Sequence, residues 1–311
     1  MNKLTRRLAL MSALALAACA PGESSASSAA LVVPLPDGGE LRLDGPAQRV
    51  LPTNASALDY VLALVGAERL AGVPITAMAY SNSADQLRGR ELPEFVDYNA
   101  ESALAHDPDL IVTHDWQSQE TTELLRESGI PVLVVPDLVD LDDVRTTLHS
   151  LGVALGAEER ASALWAELEQ RAQDLRAQAP QRGARAMTYT NYGTGGFTAG
   201  LGTSADLMLE LAGLRNAASE AGMQSNSPIT HEELLTLDPE LIVVSSAAED
   251  SDLAPTVRLL RGEELLSGLR ALEGERLLEL PARYYSSSSL HVLDAAEELA
   301  RLADEALARD P

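Results

Sequence analysis

Two twelve-residue segments of the chain repeat each other. They are Glu101-Ser-Ala-Leu-Ala-His-Asp-Pro-Asp-Leu-Ile-Val112 and Glu232-Glu-Leu-Leu-Thr-Leu-Asp-Pro-Glu-Leu-Ile-Val243. In register, they share a glutamate, a leucine, the Asp-Pro pair, an acid and the run Leu-Ile-Val. The residue before a proline avoids helical geometry, so each segment predicts a short helix that ends at Asp-Pro. The apolar, β-branched run that follows is typical of a buried strand.

A second pair of matching segments lies upstream of the first in each half of the chain. Asp59-Tyr-Val-Leu-Ala-Leu-Val-Gly66 matches Asp206-Leu-Met-Leu-Glu-Leu-Ala-Gly213, and each predicts an apolar helix closed by a glycine suited to a C-cap. The two motifs occur in the same order in both halves. The chain is therefore expected to contain two versions of one α/β unit.

Strands and helices alternate around these motifs. The candidate strands are Arg49–Pro52, Leu110–Thr113, Val132–Val135, Arg185–Tyr189, Leu241–Val244 and Leu277–Leu280. Between the halves, Glu158–Gln178 keeps apolar residues at helical spacing with no glycine or proline. We therefore expect an α/β fold of two Rossmann-like lobes with mostly parallel sheets, at 41–156 and 181–311, joined by one long connecting helix at 157–180.

The N-terminus has the order of a secretory signal. Lys3, Arg6 and Arg7 precede the apolar run Leu8–Ala18, which is too short to span a bilayer. Residues 1–18 are therefore interpreted as a signal peptide, and the adjacent arginines leave a twin-arginine export signal as an alternative.

The signal ends at the only cysteine of the chain. Leu16-Ala-Ala-Cys19 resembles the bacterial lipobox, which predicts lipidation of Cys19; the alternative is an ordinary cleaved signal. The small, polar residues that follow are typical of a flexible tether. Residues 19–40 are thus interpreted as a lipidated tether and N-terminal extension.

The remaining chain is strongly acidic. Removing the three basic residues of the signal from 23 leaves 20 basic against 47 acidic residues, a formal charge of −27. Such a surface repels nucleic acid and anionic lipid, which excludes a nucleic-acid-binding role.

These features resemble a known family. The lipobox, the two α/β lobes, the connecting helix and the paired Glu-x-x-Leu-x-x-x-Pro-Asp/Glu-Leu-Ile signatures look like the helical-backbone, class III solute-binding proteins of ABC importers for iron-siderophore, haem and cobalamin. The resemblance implies a monomeric protein, exported to the periplasm or cell surface and anchored through Cys19. It also implies that a metal chelate binds between the lobes and passes to a membrane permease.

The loops after the strands are the expected ligand site, because open α/β sheets place ligands at the carboxyl ends of their strands. Most of the few aromatic residues lie in these loops, where they would either wall a pocket or pack over their own lobe. The candidate ligand contacts are Thr53, Asn54, Tyr80, Tyr98, Trp116, Tyr192, Met223, Arg283 and Tyr284. Arg88 and Arg90 are further candidates for contact with an anionic chelate.

Glu101 and Glu232 occupy equivalent places in the two halves. The resemblance implies that this pair docks onto arginines of the permease. The alternative is that both are helix N-terminal acids favoured by the macrodipole, with Thr230 as a cap before Glu232.

The sequence predicts no catalytic residue and no metal site. The five histidines are scattered, and only His114 and His291 lie near the expected cleft. The glycine-rich stretch Gly193–Gly202 lacks the lysine of a phosphate loop, and no Gly-x-Ser-x-Gly is present. We expect no cofactor beyond the cargo itself. A ferric siderophore is the first expectation for the cargo, cobalamin or haem the alternative, and a lipid-anchored enzyme on a related two-lobed fold the third.

Overall fold

The computed structural model describes residues 30–96, 98–179, 183–191, 193, 195–246 and 255–309. The predicted signal peptide and Cys19 lie outside these residues. Within them, the chain forms two lobes built on parallel sheets, in agreement with the expected fold class.

The first lobe contains seven described strands and four described α-helices. The strands are β1 (Leu31–Pro34), β2 (Glu40–Leu43), β3 (Val50–Pro52), β4 (Val73–Pro74), β5 (Glu94–Phe95), β6 (Leu110–His114) and β7 (Val132–Val135). The helices are α1 (Ala55–Val65), α2 (Ala100–Leu104), α3 (Gln119–Glu127) and α4 (Leu141–Leu155), with 3-10 turns at Ala67–Arg69, Ile75–Ala79 and Ala84–Leu87. Strands β3, β6 and β7 form a parallel sheet in that order, and β4 pairs with β5 in parallel.

The chain then crosses to the second lobe through α5 (Glu158–Gln178). Its strands are β8 (Arg185–Thr188), β9 (Thr190–Asn191), β10 (Gly196–Ala199), β11 (Arg215–Asn216), β12 (Asn226–Ile229), β13 (Leu241–Ser245) and β14 (Leu277–Leu280). The helices are α6 (Ser204–Leu211), α7 (Ala217–Glu220), α8 (His231–Leu237), α9 (Pro255–Gly262), α10 (Arg270–Glu273), α11 (Ala282–Tyr285) and α12 (Val292–Leu307), with a 3-10 turn at Glu264–Leu266. The parallel sheet has the order β11-β8-β13-β14.

Two antiparallel units were not predicted. Strands β12, β10 and β9 form a three-stranded sheet, and β1 pairs with β2 in a hairpin. This hairpin includes residues on both sides of the boundary expected between the N-terminal extension (19–40) and the first lobe (41–156). These strands have only two to four residues, too few to show a clear alternation of apolar and polar positions.

The internal repeat has a geometric basis. Asp107 and Asp238, the aspartates of the two Asp-Pro pairs, both adopt left-handed backbone geometry, with φ of 48° and 39°. An aspartate tolerates this region better than most residues do. Asp238 is the C-cap residue of α8, and Asp107 lies in the turn between α2 and β6. The predicted helix-turn-strand unit is therefore confirmed in both halves.

The acid after each Asp-Pro pair holds the neighbouring strand. A carboxylate oxygen of Asp109 accepts a hydrogen bond from the backbone N–H of Arg49 (2.9 Å), and Glu240 accepts one from the N–H of Arg185 (3.1 Å). Each arginine side chain in turn donates to a backbone carbonyl just before the Asp-Pro turn, at 2.7 and 2.8 Å. In both lobes, the same contacts thus tie the turn before one parallel strand to the start of the strand beside it.

The connecting helix α5 packs against both lobes. Its buried residues Leu164, Leu168 and Leu175 belong to one apolar core that also includes α1 and α4 on one side and α6 and α12 on the other. Gly152 of α4 allows a close approach, because a Cβ there would lie 2.8 Å from the Cβ of Ala161 on α5. Within the described residues, no helix has the length and apolar character needed to cross a membrane.

Candidate functional site

A cleft between the lobes contains two adjoining cavities, and residues of both lobes line each of them. The smaller has a volume of about 360 Å³ and the larger about 690 Å³. Both volumes lie in the range of small-molecule sites. The cleft thus occupies the place expected from the carboxyl ends of the strands.

Two exposed aromatic side chains face the smaller cavity from opposite lobes. Trp116 of the first lobe is 62% exposed, and Phe197 of the second is 48% exposed. The Trp116 ring lies 5.5 Å, between centroids, from the ring of the buried His114. Large apolar side chains left in solvent at a cavity rim suit contact with a ligand.

Hydroxyl groups make up most of the polar wall of the smaller cavity. They belong to Thr188, Thr190, Thr198, Thr203, Ser204, Ser225, Tyr285, Ser286 and Ser288. The Thr198 hydroxyl is buried and makes no hydrogen bond in the described structure. Among the described residues that line this cavity, Asp137 is the only charged one. The wall therefore suits a ligand with neutral hydrogen-bonding groups.

The larger cavity differs in charge. Arg88 of the first lobe and Arg283 of the second both line it, together with the half-exposed Tyr80. Arg88 pairs with Asp85 at 2.8 Å, and the Arg283 guanidinium lies 5.5 Å from the centroid of the Tyr284 ring. Two guanidinium groups from opposite lobes can hold an anionic group of a ligand.

A hydrogen bond separates the two cavities. The Thr190 and Tyr285 hydroxyls are 2.7 Å apart, and both residues line both cavities, as does Ser286. A ligand that fills the whole cleft would contact this pair at its centre.

The structure places four of the residues named from the sequence at the cleft. Trp116 lines the smaller cavity, and Tyr80, Arg88 and Arg283 line the larger. Arg90 instead pairs with Glu68 at 3.2 Å and lines neither cavity. Tyr192 lies outside the described residues.

The other five candidate contacts have partners within their own lobes and line neither cavity. Thr53 hydrogen-bonds to Thr113 (3.0 Å), and Asn54 caps α1 through the Ala57 N–H (3.0 Å). The Tyr98 hydroxyl is 3.0 Å from that of Thr122. Met223 packs against a core of the second lobe, and Tyr284 packs against the core that the two lobes share. As ligand contacts, these five remain predictions from sequence.

Thr188, Thr190 and Phe197 line the smaller cavity but are not among the contacts predicted from sequence. Thr188 lies near the end of the strand predicted at Arg185–Tyr189, and Thr190 follows it. The placement of ligands at the carboxyl ends of strands could therefore have identified both residues. Phe197 lies within the glycine-rich stretch Gly193–Gly202. Its position depends on the short antiparallel strand β10, which the sequence does not reveal.

His114, Asp115 and Asp137 form a polar group at the ends of β6 and β7. The Nδ1 atom of His114 lies 2.7 Å from a carboxylate oxygen of Asp115 and 4.0 Å from one of Asp137. Burial lowers the pKa of His114, although the two aspartates oppose this effect. Burial also raises the pKa of Asp137, and the charge of Asp115 adds to it.

These three residues are close enough to approach one metal ion. However, Asp115 already accepts hydrogen bonds from both neighbours, since its second oxygen lies 3.0 Å from the Asp137 N–H. We interpret the group as one that orients the imidazole, and the absence of a metal site remains a prediction.

The two repeat glutamates are exposed and occupy matching places. Glu101 lies in the first turn of α2, and Glu232 in the first turn of α8. Thr230 caps α8 as expected, because its hydroxyl accepts a hydrogen bond from the Glu233 N–H (3.2 Å). Since Glu233 returns a bond to the cap, the helix end does not depend on Glu232.

Comparisons with known proteins agree with this architecture. A model of the periplasmic binding protein family matches residues 53–284. The chain is 27% identical over 214 residues to a cobalamin-binding protein of Halobacterium salinarum, which covers 68% of this chain and 58% of that protein. The chain thus spans less than two thirds of the length of that relative.

Two solved structures share the fold. A periplasmic haem-binding protein of Pseudomonas aeruginosa is 27% identical, with a TM-score of 0.71 over 85% of this chain and 95% of that one. A protein of an Fe3+-hydroxamate transport system from Saccharomonospora viridis is 21% identical, with a TM-score of 0.72 over 88% and 98% of the two chains. With its two parallel-sheet lobes, single connecting helix and interlobe cleft, the chain belongs to the periplasmic binding protein family.

Proposed function

We propose that the chain captures a metal chelate in the interlobe cleft and delivers it to an ABC permease. The observation that carries this proposal is the cleft itself, which both lobes line with aromatic rings, hydroxyls and two arginines. Proteins of this kind bind and release rather than transform their ligand, so no catalytic step is proposed.

Among metal chelates, a corrinoid of the cobalamin type fits the wall best. A corrinoid is a broad macrocycle with carboxamide groups at its edge, and hydroxyls such as those of Thr188 and Thr198 can hydrogen-bond to carboxamides. It also carries a single phosphodiester. The negative charge of Asp85 offsets the positive charge of Arg88, so Arg283 supplies the remaining positive charge at the larger cavity. That single positive charge matches the single negative charge of one phosphodiester. The name of the Halobacterium relative supports the same cargo.

A ferric siderophore, the first expectation from sequence, becomes the second candidate. The two arginines at the larger cavity favour an anionic chelate of this class. A catecholate chelate carries several negative charges, however, and the described wall offers no further basic residue to balance them. Haem would need an axial ligand, a role that Tyr80 could fill.

We also propose that the protein is a lipoprotein anchored through Cys19. The proposal rests on the lipobox-like sequence and on the tether that follows it. Labelling of cells with a fatty-acid analogue should mark the wild-type protein and leave Cys19→Ser unmarked. Equal labelling of the two proteins would exclude lipidation at this residue.

Trp116 should report ligand binding. The chain has two tryptophans, and the second, Trp165, packs on α5 against the core. Cyanocobalamin should quench the fluorescence of the wild type and of Trp165→Phe, and most of the quenching should vanish in Trp116→Phe. Trp116→Ala should raise the dissociation constant about 10-fold, because a large aromatic contact is lost. Unchanged quenching in Trp116→Phe would place the ligand elsewhere.

Arg283 should recognise the phosphodiester. Arg283→Gln should weaken cyanocobalamin binding by about 10-fold or more, since a charge-assisted hydrogen bond is lost. Arg90→Gln is the matched control, because Arg90 pairs with Glu68 outside the cavities. Calorimetric titration of both variants checks the difference. A corrinoid that lacks the phosphodiester should bind the wild type and Arg283→Gln equally, and an equal loss for both corrinoids would contradict the assignment.

Glu101 and Glu232 should act at the permease and not at the ligand. We expect Glu101→Gln and Glu232→Gln to slow uptake of labelled cargo into cells while leaving its affinity for the isolated protein unchanged. Glu120→Gln is the control, since Glu120 is also an exposed acid in the first turn of a helix but has no counterpart in the repeat. If uptake is normal in both Glu101→Gln and Glu232→Gln, these glutamates do not act in docking and serve only to stabilise their helices.

A further inference from the structure

Asp59 is a buried acid at the junction of the two lobes. It lies on α1 and is 2% exposed. One carboxylate oxygen accepts hydrogen bonds from the Ser81 hydroxyl (2.5 Å) and the Ser83 N–H (3.0 Å). The other accepts one from the Ser289 hydroxyl (2.9 Å) and a longer one from the Asn82 N–H (3.4 Å). In the described structure, no basic side chain forms an ion pair with Asp59.

These contacts join parts of the chain that are distant in sequence. Ser81 and Ser83 belong to the first lobe, whereas Ser289 precedes α12 of the second. Burying a carboxylate is costly unless hydrogen bonds satisfy it, so the three serines and the backbone must stay in place around it. Asp59 therefore favours one arrangement of the 81–83 loop relative to the second lobe.

Three further hydrogen bonds cross between the lobes beside Asp59. The Ser56 hydroxyl donates to the Ser288 carbonyl (2.7 Å), and the Asn82 side-chain amide donates to the Arg283 carbonyl (3.1 Å). The Ser83 hydroxyl lies 3.1 Å from Nε2 of His291. With the Asp59–Ser289 bond, these four contacts form what we call the polar seam.

The polar seam is also tied to the connecting helix. The His291 imidazole contacts the Asp294 carboxylate, which pairs with Arg171 of α5 at 2.5 Å. Hydrogen bonds thus run without interruption from α1 through the seam to the helix that joins the lobes.

The seam lies beside the ligand cavities. Ser81 and Arg283 line the larger cavity, and Ser288 lines the smaller. Trp116 of the first lobe and Phe197 of the second, by contrast, lie exposed at the rim of the smaller cavity. No described hydrogen bond connects these two residues.

We infer that Asp59 is a positioning residue that holds the polar seam together and makes it the pivot of lobe movement. The lobes stay joined at the seam when the cleft is empty, and they separate at the Trp116–Phe197 rim. This inference concerns the protein without ligand and adds to the proposed function a residue that sets the width of the cleft.

The internal repeat supplies a matched control. Asp206 occupies the position equivalent to Asp59 in the second half, as the paired motifs show. It accepts hydrogen bonds from the Ser219 hydroxyl (2.7 Å) and the Asn216 side-chain amide (2.8 Å). Both donors belong to its own lobe. Asp206 thus shares the local role of Asp59 without the contact between lobes.

The test compares Asp59→Asn with Asp206→Asn in the mature chain carrying Cys19→Ser. This background has no other cysteine, so spin labels can be placed at Glu120→Cys and Glu264→Cys, one exposed site in each lobe. Without ligand, Asp59→Asn should lengthen and broaden the distance distribution measured by pulsed electron resonance. Asp206→Asn should keep the wild-type distribution, although both variants lower the melting temperature.

A purely structural role for Asp59 predicts lower melting temperatures and identical distance distributions in both variants, and that result would overturn the inference. Ser289→Ala removes the hydrogen bond from Ser289 to Asp59 and should shift the distance distribution in the same direction. This variant provides the same readout if Asp59→Asn does not fold.

Affinity is a separate readout. The dissociation constant for cyanocobalamin should rise about 10-fold in Asp59→Asn and stay near the wild-type value in Asp206→Asn. Equal affinities in the two variants would also contradict the inference. If cyanocobalamin does not bind the wild type, the proposed cargo fails while the distance measurement still decides the role of Asp59.

Discussion

The packing of one helix against both lobes is the constraint on which the cleft depends. Leu164, Leu168 and Leu175 of α5 are buried in a core that the two lobes share. Arg171 of the same helix pairs with Asp294 and Glu297 of α12 at 2.5 and 2.8 Å, and its hydrogen bond to Glu297 raises its pKa. A single helix fixed on both sides permits a small rocking of the lobes and opposes a wide hinge motion. The cleft is therefore largely formed before the ligand arrives, which limits the entropic cost of binding.

The chemistry of the cleft differs from that of the protein surface. After residue 18, the chain has 20 basic and 47 acidic residues, yet the cleft contains two guanidinium groups and a wall dominated by hydroxyls. Arg88 and Arg283 approach the larger cavity from opposite lobes, so an anionic group between them would favour closure. The exposed rings of Trp116 and Phe197 would then bury apolar surface against the ligand. Contact through the arginines and the aromatic rings needs no bond between the protein and the metal, which fits the proposed release of the cargo to a permease.

The repeated motifs were sufficient to predict the fold class and the connecting helix. The Asp-Pro turns worked as signals because their geometry is local: Asp107 and Asp238 both adopt left-handed geometry between a helix and a strand. Site residues were harder to predict, because the contacts that decide them are tertiary. Thr53 and Asn54 follow a strand as ligand contacts often do, but Thr113 and the N-terminus of α1 occupy their polar groups.

Trp116 and Arg283 were found because exposed large side chains in strand-end loops have few structural roles. Thr190 and Phe197 were missed because the short antiparallel strands β9 and β10 carry them.

The central claim is that the interlobe cleft binds one metal chelate per chain. The most direct test is to incubate the mature protein with an equimolar mixture of cobalamin, haem, a ferric hydroxamate and a ferric catecholate. Unbound chelate is removed by desalting, and cobalt and iron are then counted per chain by mass spectrometry of the elements. We predict about one cobalt atom per chain and little iron. Iron in place of cobalt would favour a siderophore or haem as the cargo. If neither metal exceeds the level found with a non-binding control protein, the result contradicts the claim that the cleft binds a metal chelate.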